Sequence, residues 1–103
     1  MAPPKLTDEQ RRAALAKAAE ARRTRAEIKE LLKTGSLSIA DVFERAETDD
    51  IVAGTKIAAI LVSLPGLGKI KAKRLMEEHG ISESRRIRGL GTRQRKVLLD
   101  LFS

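Results

Sequence analysis

Two stretches in the second half of the chain carry residues suited to holding phosphate. The first is Leu64-Pro65-Gly66-Leu67-Gly68-Lys69, where two glycines can take positive φ and turn backbone amides toward an anion. The second is Gly80-Ile81-Ser82-Glu83-Ser84-Arg85-Arg86-Ile87-Arg88-Gly89-Leu90-Gly91, with three arginines within four residues. Arginine's planar fork suits bidentate phosphate contacts, and lysine serves as a point charge. Neither stretch is a nucleotide P-loop, because the Gly-x-x-x-x-Gly-Lys-Ser/Thr spacing is absent and no strand pattern precedes it. Gly66-x-Gly68 by itself suits an ordinary helix-to-helix turn equally well; the arginine turn that follows gives it weight.

The helix starts add a contrast. Acidic side chains favour a helix's first turn, where the dipole is positive, and Asp8, Glu9 and Asp41 obey. Lys69 and Lys71 open a later helix and Arg93, Arg95 and Lys96 open the last one, so cations meet a dipole that repels them. Each such pairing costs a few tenths to about 1 kcal/mol, which an incoming phosphate reverses. Lys69, Lys71, Lys73 and Arg74 lie outside the apolar stripe Ala72, Leu75, Met76 and His79, and only Ile70 breaks the pattern. Earlier in the chain Lys17, Arg22, Arg23 and Arg25 alternate with Glu20 and Glu27. They make either a solvated helix laced by ion pairs or a second binding surface. His79 is the lone histidine, at a helix end without metal partners nearby, and there is no cysteine. No metal, cofactor or catalytic group is expected.

Charge is segregated along the 103 residues. Positions 1–33 hold nine cations and five anions (+4), 34–63 two and five (−3), and 64–103 ten and four (+6), for a net +7. Basic blocks flanking an acidic one suggest a polyanion gripped by particular faces. The longest apolar run, Ile57 to Val62, is far short of the roughly 18–20 residues of a membrane helix. The start lacks a signal peptide's apolar stretch. A soluble cytoplasmic protein with no membrane partner is expected.

Every long apolar pattern has helical spacing, so the expected fold is all-α in a single domain. Thr7 and Gln10 form a capping box for a long basic helix over 8–34, stopped by Gly35, about 39 Å in length. Only Ile28, Leu31 and Leu32 in its last third offer large apolar groups to a core, so its alanine-rich start should project. Residues 1–7 are expected to be flexible. The helical body spans 37–103. Ser38 and Asp41 cap a second helix stapled by Leu37 and Val42, and Thr48 to Ala53 reads as one short turn. Ile57, Ile60, Leu61 and Leu64 mark the next helix, which Pro65 ends. Another runs from about Gly68 to His79. Ser82 should cap a short helix through Ile87, and Thr92 a last helix whose Val97, Leu98, Leu101 and Phe102 close the core.

Residues 64–91 resemble the helix-two-turn-helix motif of certain DNA repair enzymes and of a ribosomal head-domain protein. From Leu6-Thr7 through Ala21-Arg22-Arg23 to Gly91 the chain resembles the actinobacterial integration host factor family. That resemblance implies a monomeric nucleoid protein that binds duplex DNA with little sequence preference, bends or bridges it, and assists phage integration in an integrase–phage DNA complex. It places Gly66, Gly68, Lys69, Arg85, Arg86 and Arg88 on the phosphate grip. Lys71 and Arg93 join them from the helix-start pattern above, and Lys73 from the polar side of the same helix as Lys71. The resemblance also implies a second DNA surface on the long first helix, which would enlist Arg22, Arg23 and Arg25.

Two other functions share the motif. A ribosomal or other structured-RNA binder would use the same double turn, but the chain has no Tyr or Trp, and Phe43 and Phe102 fall on apolar stripes, leaving no stacking platform. A repair glycosylase or lyase would need its catalytic proline directly after the initiator methionine, where Ala2 stands before Pro3.

Overall fold

The computed structural model describes residues 7–102; apart from Thr7, the expected flexible N-terminus lies outside them. Six α-helices follow in order: α1 (Asp8–Lys33), α2 (Ile39–Ala46), α3 (Asp50–Ala53), α4 (Ile57–Ser63), α5 (Gly68–Glu78) and α6 (Thr92–Phe102), with one 3-10 turn at Ile87–Gly89. Among the described residues there is no strand, and the fold is all-α.

Local chemistry sets most helix ends. The Thr7 hydroxyl accepts from the Gln10 amide while the Gln10 side chain accepts from the Thr7 amide, and Ser38 and Asp41 repeat the arrangement at α2. Hydrogen bonds from the Ser38 amide and hydroxyl hold the Asp41 carboxyl below its ordinary range. Asp49 caps α3 by accepting from the Ile51 and Val52 amides. α1 and α5 end alike: the Ser36 amide reaches Leu31 O (2.9 Å) and the Ile81 amide reaches Met76 O (2.8 Å), the closing bonds of Schellman motifs at Gly35 and Gly80.

α4 is the centre of the core. Its Ile57, Ile60 and Leu61 are fully buried, as are Leu32 of α1, Ile39 and Val42 of α2, and Leu98 of α6. α1 packs on α3 and α4 through Ile28 and Leu32, while positions 7–18 are exposed throughout. The radius of gyration is 16.0 Å, against about 13 Å for a compact chain of this length. The excess reflects the start of α1 standing away from the body.

Three local expectations fail. No α-helix forms over 82–87: the Ser84 amide turns back to Ser82 Oγ, and Arg85 to Ser82 O, before the 3-10 turn begins at Ile87. That segment pairs instead with residues before α4, the Ile57 amide bonding Arg85 O and the Ile87 amide bonding Thr55 O, both at 3.0 Å. Thr92 does not cap α6. The Arg95 amide bonds Gly91 O and Gln94 Oε1 accepts from the Gly91 amide, so Gly91 occupies the capping position. Leu101 is 53% exposed, and Leu99 packs on the core in its place beside Leu98 and Phe102.

Candidate nucleic-acid interface

The glycine turn leaves α5 open. Gly66 and Gly68 have φ of 78° and 72°, values that L side chains adopt only at a cost. An added Cβ would meet nothing within 4 Å at either position, so the backbone conformation, not lack of space, asks for glycine. Leu67 offers no capping side chain and α5 has no acid in its first turn. Lys69 and Lys71 are exposed beside these uncapped amides. α1, α2 and α3 all start with acids and with side-chain caps, whereas α4, preceded by Lys56, and α5 start with neither.

The arginine turn is held by its own side chains. Arg85 Nη1 donates to Gly89 O at 3.0 Å, and Arg86 Nη1 donates to Gly54 O at the α3–α4 junction. Arg88 makes no hydrogen bond or ion pair among the described residues. All three are exposed and line one concavity with Ser82, Ser84 and Gly89. Gln94 ties this region to the end of α5, its Nε2 donating to Gly80 O while Oε1 holds the Gly91 amide.

Lys69 and Lys73 share a groove with Lys56 and Ser84, whereas Lys71 lines a different groove, between α5 and α6, with Arg74 and Leu101. Arg93 is exposed at the start of α6. Arg95, one of the cations at that helix start, is turned inward: its guanidinium lies 5.4 Å from the Phe43 ring centroid and Nη2 reaches Ile87 O. It anchors α6 to α2 instead of facing an anion. On α1, Arg22 and Arg23 are exposed. Arg25 is partly buried, with its Nε shielded from solvent and unpartnered among the described residues. None of the three lines the grooves around the two turns. Lys56, which stands opposite Arg86 in an antiparallel bridge, and the bond from Gln94 to Gly80 O escape sequence reasoning, because the paired positions are far apart in the chain.

A helical body with two adjacent turns, one glycine-built and one arginine-built, defines a helix-two-turn-helix protein, and the family described as the S13-like H2TH domain matches residues 32–102. Three relatives match over most of their length. They are the integration host factors of Mycolicibacterium smegmatis (54% identical, 99% of this chain and 97% of that one), Mycobacterium tuberculosis (53%, 99% and 97%) and Streptomyces coelicolor (54%, 91% and 88%). The chain belongs to the integration host factor family. A solved structure described as sIHF bound to an 8bp palindromic DNA superposes with a TM-score of 0.82 at 48% identity, covering 85% of this chain and 99% of that one.

Proposed function

We propose that the protein is an architectural DNA-binding protein that grips duplex backbone through its two turns and thereby bends, bridges and compacts DNA. The observation that carries this reading is the uncapped, cation-flanked start of α5, linked through the groove that Lys69 shares with Ser84 to a turn of three exposed arginines, two of which, Arg85 and Arg86, are anchored to backbone carbonyls. Amides and lysines at Gly66, Gly68 and Lys69 hold one phosphate, and Arg85, Arg86 and Arg88 hold others, with Lys71, Lys73 and Arg93 adding charge alongside. These contacts go to phosphates and carry little sequence information. Arg22, Arg23 and Arg25 of α1 form a second surface, which lets one protein hold two duplex segments or deform one. The DNA-bound relative and the integration host factor relatives support the reading. The work is binding, done by a monomer in the nucleoid, and help to a phage integrase follows from bringing DNA segments together.

Titration of labelled duplexes tests this. Two duplexes of unrelated sequence should bind about equally, with affinity falling steeply as salt rises, by about 0.9 log unit per log unit of salt for each phosphate contacted. Replacing Arg85, Arg86 and Arg88 by alanine should weaken both equally and flatten the slope. A loss confined to one sequence, a flat slope in the parent, or tighter binding to structured RNA than to duplex would each refute it.

A further inference from the structure

The groove between α4, α5 and the 83–84 segment, about 600 Å³ in volume, continues from the two turns. Its floor is apolar, built by Ala58, Val62, Ala72 and Met76, and its rim carries Lys56, Lys69 and Lys73. Lys56 is held in place by the one antiparallel bridge among the described residues, where it stands opposite Arg86. The flanking hydrogen bonds, Ile57 amide to Arg85 O and Ile87 amide to Thr55 O, make Lys56 and Arg86 a non-hydrogen-bonded pair. Such side chains leave a ladder on the same face with Cβ atoms roughly 5 Å apart, and like charges there repel. Arg86 turns its guanidinium to Gly54 O. Lys56 stays exposed, with no hydrogen bond or ion pair from its side chain among the described residues.

We propose that this groove seats the sugar–phosphate backbone of one DNA strand, with Lys56 contacting a phosphate between those held at the Gly66–Lys69 turn and those held at Arg85, Arg86 and Arg88. The match is one of alternation. A nucleic-acid backbone presents charged phosphates separated by apolar sugar faces, and the groove presents ammonium groups around an apolar floor. Lys69 belongs both to this rim and to the start of α5, and Ser84 lines both this groove and the arginine concavity, so the groove joins the two turns into one track. Glu83, the carboxylate on the same rim, opposes that occupant and limits its affinity.

This inference rests on the duplex-binding reading, and its test separates the two. Salt titrations on two unrelated duplexes would compare the parent chain, Lys56→Gln, Lys56→Arg, Glu83→Gln and the triple alanine variant of Arg85, Arg86 and Arg88. Lys56→Gln should lower the slope by about 0.9, losing about 3.5-fold less affinity than the parent between 50 and 200 mM salt. Its melting temperature should stay unchanged, and Lys56→Arg should keep the parent's slope. Glu83→Gln should strengthen binding to both duplexes about twofold. A parental slope in Lys56→Gln beside a reduced one in the triple variant would remove the groove from the DNA track and leave duplex binding standing. That is also the result expected if the groove instead takes an acidic peptide. A parent that shows no salt dependence would remove both.

Discussion

Among the three arginines of the second turn, structure divides the labour. Among the described residues the Arg88 side chain has no hydrogen-bond or ion-pair partner, whereas Arg86 tethers its turn to Gly54 O at the α3–α4 junction. Arg88→Ala should therefore weaken duplex binding with no change in melting temperature. Arg86→Ala should weaken binding and also cost about 1–2 kcal/mol of stability, since the carbonyl of a buried glycine loses a charged donor. Duplex titration and thermal unfolding of the two variants, side by side, read this difference; equal melting temperatures would show that the Gly54 contact contributes nothing to stability. The cluster itself was legible in the sequence, because three arginines within four residues need no fold to be noticed. Which of them is tethered was not, for Gly54 and Arg86 are 32 positions apart. Arg95 teaches the same lesson in reverse. A cation in a helix's first turn reads as an anion ligand until Phe43, from another helix, is found beneath it.

At the scale of elements, both ends of α1 and the start of α2 are legible in the sequence because capping boxes and Schellman stops are made within six residues. The 82–87 segment was misread for the opposite reason. Ser82 offers a plausible cap, but pairing with Thr55 and Ile57 supplies the Arg85 carbonyl and the Ile87 amide with partners that a local helix would otherwise provide. Leu101 and Leu99 exchange roles because the body meets the face of α6 that carries Leu98, Leu99 and Phe102, a choice made by tertiary packing and not by the helix's own periodicity. The open start of α5 depends on its glycine turn. Gly66→Ala forces a side chain into the left-handed region at a cost of roughly 1–2 kcal/mol, or several degrees of melting temperature for a chain of this size. Any shift of the turn that relieves this strain moves the amides of Gly68 and Lys69. Duplex affinity is thus expected to fall along with stability, and an alanine variant that melts lower yet binds as well as the parent would show that these amides do not touch phosphate.

At the scale of the molecule, the net +7 is distributed as a basic helix, an acidic middle and a basic motif, and the fold turns that sequence order into space. α2 and the residue that follows it carry exposed acids, at Asp41, Glu44 and Glu47, while the cations of the two turns gather around α5 and the arginine turn. α1 extends from the body, giving the molecule a length of 49 Å. Its Arg22 and Arg23 are exposed and line neither groove of the motif. Replacing Arg22, Arg23 and Arg25 by alanine should reduce compaction of long DNA, followed by single-molecule extension, more than it reduces affinity for a short duplex; equal losses would mean one binding surface. The central claim is that the two turns together grip duplex backbone without regard to sequence. Amide proton–nitrogen spectra of the protein, titrated with two duplexes of unrelated sequence, test it most directly. The expected result is the same set of shifted amides with both duplexes, centred on Gly66 to Lys71 and Ser84 to Gly89 and sparing Asp41 to Glu47 of α2. Shifts centred on α2, or sets that change with the duplex, would contradict it.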